Sequence, residues 1–133
     1  GIRTCNVGTI ADLRRRRLDV PTVVARWGRL LETVARALGV AETSFDMARP
    51  GIYARGQKLG AIGLHIHRGV TTHGFALNVN CSLEGFDAIV ACGMPDLAST
   101  TVARAANRPV DVSQARRAVM QALETAWSPL TRD

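Results

Sequence analysis

Lysine is almost absent from this sequence. Lysine and arginine together number 17, and position 58 holds the only lysine, which leaves sixteen arginines (17 − 1). Arginine stays protonated in proteins, whereas a lysine can give up its proton or act as a compact charge beside a thiolate. Lys58 is therefore a candidate for chemistry, although compositional drift could also leave one lysine.

Aromatic side chains, cysteines and long apolar runs are scarce as well. No stretch reaches the ~18 consecutive apolar residues of a membrane span, and the first residues lack the pattern of a secretion signal. Aromatics make up 5% of the chain and no recognition motif accompanies its basic residues. The cysteines, Cys5, Cys81 and Cys92, are odd in number and widely spaced. We therefore expect free thiols in a reducing, cytoplasmic compartment, with no membrane and no nucleic-acid partner.

Length and charge describe one domain with an excess of positive charge. At 133 residues and 47% hydrophobic content, the chain is long enough to bury a core as a single domain. Its net charge of +6 indicates an acidic partner. Part of that charge is the run of arginines at 14–17, which is either a solvated surface segment or a contact surface for an acidic protein or nucleic acid.

Helical periodicity predicts two main helices. Apolar residues recur at helical spacing over 21–38, and Gly39 follows as a stop signal. A second amphipathic pattern begins at a capping box formed by Asp111 and Gln114 and runs to about Trp127.

Period-two alternation predicts strands between the two helices. A short strand is expected at 51–54, and longer strands at about 58–67 and 71–80 form an antiparallel hairpin. A short helix is expected at 97–106 and a connection at 40–50, whereas residues 1–19 are polar and basic with little periodicity. The sequence thus predicts an α+β domain.

Small residues line one face of both long strands. Ala61 and Gly63 share a face of the first strand, and Gly74 and Ala76 share a face of the second. Glycine inside a strand often marks the close approach of a ligand or of another backbone. Two interpretations stay open: a narrow apolar groove suited to an extended acyl chain, or close packing against a helix.

Cys92 ends a short apolar run and precedes a glycine. A cysteine in that position can present its sulfur at the edge of a cleft, and a nearby cation such as Lys58 would favour the nucleophilic thiolate. The alternative is an inert, buried thiol.

The three histidines, His65, His67 and His73, suggest a metal site. However, the chain has no Cys-x-x-Cys pair and no second close pair of ligands, so exposed polar positions on a strand are the favoured interpretation. No phosphate-binding glycine motif is present. The sequence therefore predicts no metal and no cofactor.

The longest informative run is GQKLGAIGLHIHRGVTTHGFALNVN, followed after a short connection by DAIVACG. This combination resembles the lipoyl(octanoyl) transferases of the biotin and lipoate protein ligase superfamily. The resemblance covers roughly residues 10–127. It implies a mainly antiparallel sheet flanked by helices, and an acyltransferase that moves an octanoyl group from acyl carrier protein to a lysine of lipoate-dependent proteins. The implied acceptors are the lipoyl domains of 2-oxoacid dehydrogenases and the glycine cleavage H protein.

The resemblance also implies roles for individual residues. Cys92 matches the cysteine that holds the acyl group as a thioester, and Lys58 matches the lysine that lowers its pKa and relays protons. His73 and Asn78 match the family pattern without an assigned role. The positions that match the acyl-contacting segments are Ala61, Ile62, Gly63, Gly74, Phe75 and Ala76.

One part of the family pattern is missing from the sequence. The Arg-Gly-Gly and Tyr-His-Gly-Pro-Gly-Gln segments, which complete the acyl site in that family, do not occur. We therefore expect residues 1–133 to form a single, N-terminally shortened octanoyltransferase-like domain without one wall of the pocket. A non-catalytic remnant that binds an acyl group or the carrier is the alternative. An ATP-using ligase is disfavoured by Cys92, because such ligases need no nucleophilic cysteine.

Overall fold

The structure is a computed structural model that describes residues 2–7, 10–12, 20–63, 66–67, 70–72, 74–81 and 99–131. The elements in this part of the chain are, in order, β1 (Ile2–Val7), β2 (Ile10–Asp12), α1 (Val20–Ala37), β3 (Ser44–Asp46), β4 (Gly51–Ala54), β5 (Gln57–Ile62), β6 (Ile66–His67), β7 (Val70–Thr72), β8 (Phe75–Cys81), α2 (Val102–Ala106) and α3 (Val112–Thr131).

The main sheet has five strands in the order β1-β8-β5-β4-β3, and every neighbouring pair is antiparallel. A second, three-stranded sheet has the order β2-β7-β6. The predicted α+β class with a mainly antiparallel sheet and flanking helices is confirmed.

The predicted hairpin is confirmed in its pairing but not in its extent. β5 pairs antiparallel with β8, yet β5 ends at Ile62 and β8 begins at Phe75. Gly63 donates its N–H to the carbonyl of Gly74 over 2.9 Å just beyond these ends. The prediction of two continuous strands was therefore wrong. The physical reason is that Gly63 and Gly74 lie at these ends, and glycine weakens the interior of a strand. The short β6 and β7 pair with each other in the second sheet instead.

Helix α1 forms where the helical pattern predicts it. Its apolar stripe is buried and includes Trp27 and Leu31. At its end, Gly39 adopts φ +104° and donates to the carbonyl of Arg36, and Val40 donates to the carbonyl of Ala35. These two bonds form a Schellman motif, which explains why a glycine stops the helix there.

The core lies between α1, α3 and one face of the main sheet. Trp27 of α1 packs on Phe75 of β8 with ring centroids 5.3 Å apart. Burial of each such side chain stabilises the fold by about 1.5–3 kcal/mol. The buried cluster includes Leu31, Val34, Ile52, Leu59, Leu77, Val79, Val102 and Val119.

Helix α3 begins at the predicted capping box. The Asp111 carboxylate accepts from the Gln114 N–H over 2.8 Å, and the Gln114 carboxamide oxygen accepts from the Asp111 N–H over 2.8 Å. The helix continues to Thr131, beyond the predicted end near Trp127. Helix α2 occupies the second half of the short helix expected at 97–106.

Strand β3 lies in the segment 40–50 that the sequence indicated to be a connection, so that interpretation was wrong there. Strands β1 and β2 lie in the segment 1–19, whose polar and basic sequence predicted no element. β1 and β3 are the two edges of the main sheet. In β1, Cys5 is buried whereas Arg3, Thr4 and Asn6 are exposed. Of the β1 side chains whose burial the structure describes, only that of Cys5 is buried, which is too little apolar alternation to indicate a strand.

Among the residues that the structure describes, no helix combines the length and apolarity needed to span a membrane.

Candidate active site

One face of the main sheet carries a row of residues with little or no side chain. Gly51 of β4 pairs with Ala61 of β5, and Ala61 pairs with Ala76 of β8. Directly paired residues project to the same face. Their strand neighbours Ile52 and Leu77 are fully buried in the core on the opposite face. In the described part of the chain, the row therefore faces away from the helices, which favours the groove over packing against a helix.

The other four positions of the predicted acyl-contacting set border this row. Gly63 and Gly74 are hydrogen-bonded to each other at its end. Ile62 pairs with Phe75, and both side chains point into the core. Ile62 and Phe75 thus border the row through their backbones.

A β-bulge turns Lys58 onto the same face as the row. Tyr53 pairs with Lys58 while Ile52 pairs with Gly60, so Leu59 is an extra residue on β5. Leu59 is fully buried in the core. Strict alternation would place Lys58 on the core face together with Gly60, and the bulge reverses this.

Gly51 leaves the space that the Lys58 side chain occupies. A Cβ added at Gly51 would lie 3.4 Å from Lys58 Cε and 2.5 Å from the carbonyl oxygen of Gly60. The half-buried Lys58 side chain therefore passes over Gly51 beside the row of small residues.

The backbone of Lys58 is fixed by the segment at Ser99 and Thr100. Ser99 forms a parallel bridge with Lys58, and Thr100 donates its N–H to the Lys58 carbonyl over 2.9 Å. The Asn78 carboxamide of β8 donates to the Thr100 carbonyl over 3.1 Å and to the Lys58 carbonyl over 3.5 Å. The chain thus returns to the sheet directly beside Lys58.

Tyr53 and the turn before β4 lie next to Lys58. The Tyr53 hydroxyl donates to the Arg49 carbonyl over 3.0 Å, and the Arg49 guanidinium lies 5.4 Å from the centroid of the Tyr53 ring. Arg49 also pairs with Asp46 over 3.3 Å. Hydrogen bonding from the Ala48 N–H, and secondarily from Arg49, lowers the pKa of the Asp46 carboxyl below its ordinary value.

Cys5 has the character of a structural thiol. Its side chain lies in the core. Burial raises the pKa of the Cys5 thiol, and the nearby charge of Arg116 offsets this only in part. Cys5 is therefore protonated at neutral pH and is a poor nucleophile.

Several residues singled out from the sequence lie outside the described part of the chain. They are Cys92, His65, His73 and the arginines at 14–17. The roles suggested for them stay predictions. Within the described residues, no group of three or more His, Cys, Asp or Glu side chains could hold a metal ion.

Sequence reasoning missed the contributions of Gly51, Thr100 and Asn78. Gly51 was considered only as the start of a strand. The link between Thr100 and Lys58 joins residues 42 positions apart (100 − 58) through backbone atoms, and no local pattern reports such a contact.

Two clefts lie elsewhere on the molecule. One of about 530 Å³ lies between α1 and α3, with Arg26 and Gln121 among its lining residues. Another of about 790 Å³ lies beside the β4–β5 turn, with Arg55 and Arg104 among its lining residues. Lys58 and the row of small residues do not line either of them.

Solved structures place this architecture in one fold. The chain superposes on biotin protein ligase from Aquifex aeolicus with a TM-score of 0.70 and 10% sequence identity, covering 95% of this chain and 53% of that one. It superposes on a protein from T. acidophilum, solved with bound lipoic acid, with a TM-score of 0.69 and 11% identity, covering 94% of this chain and 52% of that one. The fold is therefore that of the biotin and lipoate protein ligase catalytic domains.

The sequence profile of the lipoyl protein ligase A/B catalytic domain matches residues 3–124. The chain belongs to this family.

Curated relatives agree with the family match. The octanoyltransferase of Mycobacterium leprae (strain Br4923) is 38% identical over 115 residues, which is 82% of this chain and 48% of the relative. The octanoyltransferase of Leifsonia xyli subsp. xyli is 39% identical over 119 residues, which is 85% of this chain and 53% of the relative. The chain thus spans about half the length of these relatives.

Proposed function

We propose that this protein is an acyltransferase of protein lipoylation, which moves an octanoyl group onto a lysine of a lipoyl domain through a thioester on Cys92. The observation that carries the proposal is the position of Lys58. The lone lysine of the sequence lies on the groove face of the sheet, over Gly51 and beside the row of small residues. The octanoyltransferase names of the relatives supply the acyl group.

The proposed first step is a thioester exchange. The Cys92 thiolate attacks the carbonyl carbon of an octanoyl thioester on acyl carrier protein, and the carrier thiolate leaves with a proton from the Lys58 ammonium. One thioester bond breaks as another forms, so no ATP is needed. The Lys58 cation would also favour the thiolate, because a neighbouring positive charge lowers the pKa of a thiol from ~8.5.

The proposed second step forms the amide. The ε-amine of the acceptor lysine attacks the Cys92 thioester carbonyl, and the amine proton passes to the neutral Lys58 amine as the Cys92 thiolate leaves. Lys58 is then again an ammonium and the cycle closes. The split into two steps through a covalent intermediate is ordinary nucleophilic catalysis. Acceptors are lipoyl domains of 2-oxoacid dehydrogenases and the glycine cleavage H protein.

Chain length supports a meeting of Cys92 and Lys58. Ser99 is fixed beside Lys58, and Cys92 precedes it by seven positions (99 − 92). A stretch of that length spans at most roughly 25 Å when extended. The connection is therefore long enough for the thiol to approach the lysine.

The row of small residues suits an eight-carbon acyl chain. Neighbouring strands lie about 4.8 Å apart, so the row from Gly51 through Ala61 to Ala76 spans about 10 Å. Burial of the six methylenes of an octanoyl chain at ~0.8 kcal/mol each contributes about 5 kcal/mol of binding.

The test is acylation of the chain by octanoyl-acyl carrier protein, followed by mass spectrometry of its peptides. We expect one octanoyl increment on the Cys92 peptide that hydroxylamine removes, and no increment in Cys92→Ser. Lys58→Arg should slow acylation greatly, because arginine keeps the charge but cannot give up a proton. Cys5→Ser is the matched control and should acylate like wild type.

The outcomes separate the proposal from its alternatives. Carrier or octanoate binding without a thioester would indicate a binding protein without turnover. Octanoate-dependent exchange of pyrophosphate into ATP would indicate a ligase that activates its substrate as an adenylate. Either result would remove the transferase proposal for this chain.

A further inference from the structure

Asn78 joins three pieces of backbone next to Lys58. It lies on β8, while Lys58 lies on β5 and Thr100 precedes α2. Its Nδ2 donates to the carbonyl of Thr100 over 3.1 Å and to that of Lys58 over 3.5 Å, and Thr100 N–H donates to the Lys58 carbonyl over 2.9 Å. β5 and β8 pair directly only from Gly60 and Leu77 onward. Next to Lys58, the strands do not pair directly. The hydrogen bonds of the Asn78 side chain and of the Thr100 N–H connect them there instead.

The chemistry of the carboxamide fits this position. Both groups in front of Asn78 are carbonyl oxygens, so the side chain must present its NH₂ group, which carries two hydrogens for two acceptors. An aspartate of the same size would present only acceptors to these carbonyls when ionised. Asn78 is half-buried, so water replaces a lost donor only in part.

We propose that Asn78 is a positioning residue for acyl transfer: it holds the Lys58 end of β5 in register with the Ser99–Thr100 return of the chain. The inference rests on the proposed function, because Cys92 lies just upstream of that return. Small displacements matter in such a site, since a 1 Å shift in catalytic geometry can cost about a hundredfold in rate.

Asn80 is a matched control on the same strand. It lies two positions along β8, and its Nδ2 donates to the Val110 carbonyl over 2.8 Å. Each asparagine therefore ties β8 to a backbone carbonyl of the returning chain. Only Asn78 reaches Lys58 and Thr100, so the two substitutions remove similar bonds at different places.

The experiment compares Asn78→Ala, Asn78→Asp and Asn80→Ala with wild type by two measurements. The first is the single-turnover rate of Cys92 octanoylation, with its pH profile. The second is hydrogen exchange at the Thr100 amide, which reports the bond to Lys58 without any reaction. Thermal unfolding and exchange at α1 amides confirm that each variant folds.

We expect Asn78→Ala and Asn78→Asp to slow octanoylation by about ten- to a hundredfold and to speed Thr100 exchange by about three- to tenfold. The pH profile of octanoylation should shift upward, because a displaced Lys58 favours the Cys92 thiolate less. Asn80→Ala should keep the wild-type pH profile and stay within about twofold of wild type in both measurements.

Each contrary outcome decides one point. Unchanged octanoylation in both Asn78 variants, with wild type active, would refute the positioning role and leave the proposed function intact. Equal slowing by Asn80→Ala would also overturn it, because a general loss of stability would then suffice. A wild-type chain that never acylates refutes the proposed function instead. In that case, hydrogen exchange at the Thr100 amide is the remaining test of the role of Asn78. An exchange rate in Asn78→Ala equal to that of wild type would refute the inference.

Discussion

Replacement of Gly51 by alanine tests whether close strand contact makes room for Lys58. The added Cβ would lie 2.5 Å from the Gly60 carbonyl oxygen and 3.4 Å from Lys58 Cε. The first distance is far inside van der Waals contact with a backbone atom, so β4 and β5 must separate. The second requires the lysine side chain to move as well. Gly51→Ala should therefore perturb both stability and the position of Lys58.

The expected magnitude follows from overpacking. Forced extra methyl groups in packed regions cost about 1–3 kcal/mol. A domain of this size loses about 3–5 °C in Tm per kcal/mol, so we expect a fall of about 3–15 °C in a thermal melt. In Gly51→Ala, the rate of reductive methylation of Lys58, measured from the mass of its peptide, should differ from wild type. The reason is that the added methyl group displaces the Lys58 side chain from its place over Gly51.

Gly28→Ala is the matched control for the same added methyl. Its Cβ would lie 2.5 Å from Cδ2 of Phe45, a side chain that can rotate, on the core side of the sheet. It should cost less stability and leave the methylation and octanoylation rates of the protein unchanged. A Gly51→Ala protein with wild-type Tm and wild-type Lys58 reactivity would refute the reasoning about this contact.

Three further predictions concern other described residues. Burial raises the pKa of Cys5, so iodoacetamide should modify Cys5 slowly at neutral pH in the folded protein and quickly in denaturant; fast modification of folded protein would contradict its placement in the core. The pKa of Asp46 is lowered in the fold from 3.8, so its stabilisation is present above that value and is lost as the pH falls below it. Asp46→Asn should weaken the dependence of the free energy of unfolding on pH over this acidic range. An unchanged pH dependence would count against the contacts of Asp46 with Ala48 and Arg49. Asp111→Ala removes half of the α3 capping box and should cost about 1 kcal/mol in urea unfolding, whereas exposed Ser113→Ala should cost less.

The features predicted correctly are those with strong local patterns. Helix α1, its Gly39 stop and the capping box of α3 each depend on residues within a few positions of one another. The paired strands β5 and β8 were predicted because their alternation is clear and the connection is short. The family run supplied the candidate roles for the lone lysine and for Cys92.

The features that were missed depend on contacts between distant segments. The edge strands β1 and β3 show little apolar alternation in the sequence. The bulge at Leu59, which sets the face of Lys58, arises from the register between β4 and β5. The insertion of Ser99 and Thr100 beside Lys58 is made by backbone groups, which any sequence possesses, so the side-chain pattern carries no signal of it.

The scarcity of lysine has a consequence for unwanted side reactions. A protein that handles an activated acyl thioester exposes its own amines to acylation. The sixteen guanidinium groups of this sequence stay protonated and have no free electron pair to attack a thioester, so they supply positive charge without consuming the acyl group. Lys58 is the one side-chain amine in the sequence, and it is half-buried over Gly51. Under the proposed function, arginine in place of lysine thus spares the protein from acylation by its own substrate.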